Sequence, residues 1–235
     1  MLPSDRPVAL SGHTRGSRTD TLWRMPFVES VNVGKTVDVP WGQLRRTAID
    51  KRPVAGPVHV HEYGVGHDEI ADLQHHGGPV QAVYAYARED LELWQGILGR
   101  DLSAGQFGEN LTTQGIDLNT ARAGERWRIG GTLLELSGVR IPCSVFQGFI
   151  DEKQWVKRFT QEGRPGAYFR VIETGAVKAG DHIEVVERRD HDVTVDLLFR
   201  ALTTERHLIP QLAEEPRLDS FLARRLGARS NNPAR

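Results

Sequence analysis

The chain has 235 residues, 39% of them apolar and 26% charged, the composition of one ordinary soluble domain with a core to bury. Its formal net charge of −1 gives no electrostatic reason to expect nucleic acid or an anionic membrane as a partner. Cys143 is the only cysteine, which excludes an intramolecular disulfide and suits a reducing compartment. No apolar run approaches the roughly 20 residues that span a bilayer, and the N-terminus lacks a secretory apolar region, so the cytoplasm is the expected location.

Residues 1–26 combine Ser, Arg, Thr, Gly and Pro without periodicity and are expected to carry little fixed structure, with Met25 a candidate native start. From Phe27 the pattern turns β-like. Phe27, Val28, Val31 and Val33 form an apolar run closed by Gly34-Lys35, and Val37, Val39 and Trp41 then alternate with period two. Pro53, Gly56 and Pro57 break the next segment into short extended pieces suited to sheet edges. Gly64 to Gly78 reads as a polar loop, Ala82 to Tyr86 as a strand, and Arg88 to Leu98 as a helix. In that helix Leu91, Trp94 and Leu98 share a face, acids occupy the first turn, and Gly99 caps the end.

Phe107 to Thr113 reads as a polar turn, and Trp127–Ile129 with Thr132–Val139 as a hairpin through Gly130-Gly131. A short helix at Trp155–Phe159, a strand at Tyr168–Ile172 and a last strand at His182–Val186 follow. The pattern predicts a mostly β domain, a barrel or a sandwich, over 27–189 with a few helices. Near Arg188 the texture becomes helical: Val193, Leu197 and Leu198, then Leu208-Ile209, then Pro216 to Leu226. This predicts a three-helix module over 190–228 with its own small core, and a frayed tail over 229–235.

The stretch from Thr132 to Cys143 reads as a strand feeding a turn, with Arg140 three positions before the cysteine and Pro142 fixing the backbone between them. A nearby guanidinium favours the thiolate, the nucleophilic and metal-ligating form. The plain alternative is a small buried hydrophobe. Three loops are also rich in functional groups: Lys51-Arg52, His75-His76-Gly-Gly, and Gly108-Glu109-Asn110-Leu-Thr112-Thr113. Singly, each reads as a solvated pair or a capped turn. As sequence neighbours on extended backbone, His75 and His76 point apart, which argues against a zinc site using both. Together with Arg140 and Cys143 these groups suit an anionic, phosphate-bearing ligand with a soft metal centre. A Cys143/His76 nucleophile pair stays open. The glycine fingerprints of P-loop and Rossmann sites, and the Gly-x-Ser-x-Gly turn, are missing from the sequence.

The chain resembles the MOSC family, named for the C-terminal domain of molybdenum cofactor sulfurase, in its YiiM-like branch. The motifs are Ser30-Val-Asn-Val-Gly-Lys, Lys51-Arg-Pro-Val-Ala-Gly-Pro-Val, Ala71-Asp-Leu-Gln-His-His-Gly-Gly-Pro and Ala82-Val-Tyr-Ala-Tyr. Phe107-Gly-Glu-Asn-Leu-Thr-Thr, Arg140-Ile-Pro-Cys, Gly163-Arg-Pro-Gly-Ala-Tyr-Phe-Arg-Val and Val177-Lys-Ala-Gly-Asp continue the series. His67, Val80-Gln81, Glu125 and Val139 depart from the pattern of the branch, Gln81 by removing a lysine.

The resemblance implies a β-barrel that binds the molybdenum cofactor, a molybdopterin with a dithiolene and a phosphate. Cys143 would match the thiolate ligand to the metal, with Asn110 and Thr112 near it. Lys51, Arg52, Arg140 and Arg170 would hold pterin and phosphate, with Gly108, Glu109 and Thr113 in the binding turn and His76 facing the pocket. The implied activity is reduction of N-hydroxylated bases such as 6-hydroxylaminopurine, with electrons from a separate flavoprotein reductase, by a monomer or homodimer. The alternative is a non-catalytic carrier of the cofactor, or of sulfur on Cys143.

Overall fold

The structure, a computed structural model, describes residues 25–42, 44–73 and 76–215. The N-terminal extension up to residue 24, the role of His75 and the last tail helix over 216–226 lie outside the described residues.

Strands β1 (Phe27–Gly34), β2 (Val37–Asp38), β3 (Arg46–Thr47), β4 (Lys51–Pro53), β5 (Val58–His61) and β6 (Gly64–Val65) come first. After β1 they are short, because Pro40, Pro53 and Pro57 cannot donate to a ladder. β7 (Val83–Ala87) leads directly into α1 (Arg88–Leu98), followed by β8 (Leu111–Gln114), β9 (Arg126–Ile129) and β10 (Thr132–Val139). Next come α2 (Ser144–Ile150), α3 (Trp155–Glu162), β11 (Ala167–Glu173), β12 (Gly175–Val177) and β13 (Ile183–Glu187). Helices α4 (Val195–Leu202) and α5 (Ile209–Ala213) end the order.

Eight strands form one sheet in the order β13-β9-β10-β11-β7-β8-β1-β4. Only β7 and β8 pair in parallel, with α1 as their crossover. The sheet curls until the start of β1 meets the residues before β13. There Phe27 bridges His182, Val28 N–H donates to Asp181 O at 2.9 Å, and Ile183 N–H donates to Pro26 O at 2.8 Å. The mostly β class is as expected, but the barrel is a curved sheet joined at its seam by a bridge instead of a continuous ladder.

Helix α1 forms for the reasons its sequence gives. Glu89 and Asp90 sit in its first turn, Leu91 and Trp94 are buried, and Gly99 takes a left-handed φ of 64° while donating its N–H to Gln95 O at 2.8 Å. Trp94 then joins Phe107, Phe146 of α2, and Trp155 and Phe159 of α3, all buried, in one aromatic cluster. Its neighbouring ring centroids lie 4.6–6.3 Å apart. That cluster fixes the position of α2.

Four sequence expectations change. The strand ends at Val139 as expected, but the turn after it opens a helix the sequence pattern did not suggest, α2, with Cys143 as its N-cap. Phe146 and Ile150, four apart and both buried, supply the apolar face of that helix. The polar turn at Phe107–Thr113 is a turn only to Asn110, since Thr112 and Thr113 belong to β8 and bury their hydroxyls against partners. The alternation of Val37, Val39 and Trp41 yields a two-residue strand, cut short by Pro40. Finally, the described part of the tail shares the core of the sheet: Val195, Leu198, Phe199, Ile209 and Leu212 belong to the same buried cluster, and Phe199 meets Phe159 edge-on at 6.4 Å.

Candidate functional site

A cleft of about 630 Å³ is lined by Lys51 of β4, Asp68 and His76 from the β6–β7 connection, Tyr84 of β7, Gly108 and Asn110 before β8, and Arg140 and Cys143 between β10 and α2. This volume is in the range of small-molecule and cofactor sites.

Cys143 is placed by α2, whose Phe146 is locked into the aromatic cluster. Arg140, buried beside it, donates from Nη1 to Phe107 O and lays its guanidinium over the rings of Phe146 at 4.2 Å and Tyr84 at 5.1 Å. Gly108 makes room for this arrangement. It has a φ of 76°, and a Cβ there would come within 3.1 Å of Arg140 Nη1. Burial pushes the Cys143 thiol up, but the His76 hydrogen bond, the Arg140 charge and the Phe146 amide outweigh it and bring the thiol down to about 7. A thiol brought that low supplies thiolate at neutral pH.

Lys51 reaches the cleft as one half of an ion pair. Its Nζ donates to both carboxylate oxygens of Asp68, and both side chains are nearly buried. Burial lowers the Lys51 pKa, and the Asp68 carboxylate pulls against that shift. Asp68 also accepts from Gly34 N–H at 2.7 Å and from Asn110 Nδ2 at 2.9 Å. Asn110 Oδ1 accepts from Tyr84 N–H at 3.2 Å, so its amide is clamped between β7 and the Asp68 loop.

The structure thus brings Lys51, His76, Gly108, Asn110, Arg140 and Cys143 to one cleft. The other expected site residues stand elsewhere. Glu109 and Thr112 are fully buried behind the turn: the carboxylate accepts from Gly105 N–H at 2.6 Å, Phe107 N–H at 3.0 Å and Thr112 Oγ1 at 2.9 Å. Thr113 is buried beside them, with its hydroxyl toward Tyr86 O. These three shape the turn from inside and do not line the cleft. Arg52 also lies off the cleft, directed at Asp50 at 2.8 Å, because the alternation along β4 turns it outward when Lys51 turns in. Arg170, on β11, is directed at Glu135 at 2.5 Å and does not line the cleft either.

Asp68, Tyr84 and Tyr168 line the cleft without having been singled out by sequence. Asp68 left one signal: a lysine that a strand turns inward needs a counter-charge. Among the described residues no group of three or more His, Cys, Asp or Glu is arranged to hold a metal ion.

The MOSC domain family matches residues 72–184. The "Uncharacterized protein YflK" of Bacillus subtilis (strain 168) is 34% identical over 174 residues, 74% of this chain and 79% of that protein. "Protein YiiM" of Escherichia coli (strain K12) is 32% identical over 174 residues, 73% of this chain and 76% of that one. A protein named "Reductase" from Gibberella moniliformis is 30% identical over 183 residues, covering 75% of this chain but 32% of its own length. The crystal structure of YiiM from Geobacillus stearothermophilus superposes with a TM-score of 0.71 at 29% identity, covering 87% of this chain and 99% of that one.

Proposed function

The chain belongs to the MOSC domain family, and from that premise we propose that its cleft binds the molybdenum cofactor and reduces N-hydroxylated compounds to amines. The observation that carries this reading is Cys143, a thiol lowered to about 7 on the wall of the cleft, with Arg140 and His76 against it. Its chemistry fits the cofactor. A lone soft thiolate suits a metal whose other ligands arrive with an organic cofactor, and the volume suits a pterin-sized group. Among the cleft cations, Arg46 has the highly exposed Asp38, at 3.5 Å, as its one ion-pair partner among the described residues, so it can turn toward a phosphate.

When bound, the cofactor would supply the two electrons that convert R–NHOH and two protons to R–NH2 and water, which no side chain here can provide. The residues of the chain have separate tasks. Cys143 would hold the metal, and Arg140 keeps the sulfur anionic. The His76 hydrogen bond supports the thiolate. Lys51 holds its protons on Nζ against Asp68, and Asn110 keeps that carboxylate in place. Thr112 and Glu109 fix the turn behind Gly108. The electrons would come from a separate flavoprotein reductase, the substrate is a small N-hydroxylated compound such as 6-hydroxylaminopurine, and the free thiol suits the cytoplasm. The reductase name of the Gibberella relative supports this over a non-catalytic carrier of cofactor or sulfur, which would reduce no N-hydroxy compound with any donor.

The test is molybdenum per chain in wild type and Cys143→Ala, each purified from a host that makes the cofactor. Close to one metal per wild-type chain, falling in a variant of unchanged fold, is expected. Equal metal in both would refute thiolate ligation. A wild type that takes up no cofactor on reconstitution would overturn the whole reading.

A further inference from the structure

The inner and outer parts of the cleft differ in character. The inner wall, with Cys143, Arg140 and Tyr84, is polar and largely buried. Among the exposed large apolar side chains of the described residues, Leu44 and Tyr63 are the two that line the cleft, and they are 54% and 56% exposed. They therefore mark its mouth. Tyr63 sits on the tight turn joining β5 to β6, beside His61, which also lines the cleft.

That turn holds the His61 ring in place. His61 pairs with Gly64 across the hairpin, and β5 is held on its other side by β12. The Tyr63 N–H donates to His61 Nδ1 at 3.3 Å, which ties the ring to the turn. Gly64 has no side chain, and a Cβ there would already touch the His61 ring at 3.7 Å. A larger residue would lie against the imidazole, and glycine leaves it uncovered.

We propose that Tyr63 and His61, which line the cleft together with Leu44, form a stacking subsite at its mouth that takes the flat, uncharged heteroaromatic ring of the substrate. Base rings stack on tyrosine and histidine with little regard to base identity. Tyr63 is a specificity residue in this arrangement, and the identification of the ring as substrate rests on the reductase reading above.

The test uses adenine, which keeps the ring and lacks the reducible N–OH, titrated by calorimetry into the metal-free full chain. Tyr63 is exposed, so Tyr63→Ala keeps the fold. It should weaken adenine binding about 5- to 150-fold, while Tyr63→Phe retains affinity and the molybdenum content of Tyr63→Ala matches wild type. Undetectable adenine binding to wild type, or equal affinity in Tyr63→Ala, overturns the proposal. Loss of molybdenum in Tyr63→Ala with adenine affinity intact also overturns it, by giving the ring site to the pterin. Metal-free wild type that binds adenine but never loads molybdenum would refute the cofactor reading and leave the subsite standing.

Discussion

Replacing His76 by alanine in the metal-free protein should raise the pKa of the Cys143 thiol. The thiol stands at about 7 against an ordinary 9.0, a difference of about 3 kcal/mol in favour of the thiolate. Burial acts against that preference, so the favourable contributions together exceed it, and the His76 hydrogen bond is the largest of them. Removing it leaves burial in force, with the Arg140 charge and the Phe146 amide as the remaining support. The midpoint should rise by at least about one pH unit. At pH 7 the thiolate fraction would then fall about fivefold, and alkylation by iodoacetamide would slow in step. The assay is thiolate absorbance against pH, and the signal is unambiguous because Cys143 is the only cysteine. A midpoint within a few tenths of a unit of wild type would refute the assignment of His76 as the main partner of the sulfur.

Two further outcomes concern stability. Asp90 is buried next to Arg164 at 2.7 Å, and burial pushes its carboxyl up to about 6 despite that partner. The folded state holds this proton more tightly than the unfolded chain, so the contribution is fully present below pH 3.8. It is lost as pH rises through 6, by about 3 kcal/mol in all. Asp90→Asn should flatten urea-unfolding stability between pH 4 and 7, and an unchanged slope in the variant would assign the effect to another group. Phe146 is fully buried, touches Phe107, Trp155 and Phe159, and lies under Arg140. Phe146→Ala should cost about 3–5 kcal/mol in chemical denaturation, and a loss under about 1 kcal/mol would mean that α2 is anchored elsewhere.

What could be read from the sequence divides along physical lines. Local signals were enough for α1, where acids, an i, i+3 apolar face and a terminal glycine agree, and for the β9–β10 hairpin with its Gly-Gly turn. They were insufficient for α2, which is seven residues long and takes its stability from aromatic partners on α3 and in the turn before β8. Within the site, Cys143, Arg140 and His76 were legible because thiol, guanidinium and imidazole have few other reasons to occur together. Asp68 was not, because its significance is its pairing with a lysine seventeen positions away across a fold. Thr112 and Glu109 mislead in the opposite way. They carry polar groups in a motif rich in them but direct them to one another and to the backbone of the turn. Side-chain chemistry alone cannot separate a residue that meets a ligand from one that shapes the loop behind it.

The sharing of one core by the sheet and the described tail bears on how such a chain can change over generations. Leu198 and Phe199 are fully or almost fully buried, and Phe199 faces an aromatic ring of α3. A recombination event that cut the gene after β13 would strip apolar cover from the sheet and leave the detached helices with half an interior. The segment after β13 is therefore no exchangeable cassette. Substitutions along α4 and on the surface it covers must be compatible with each other, and the two parts are expected to drift as a pair.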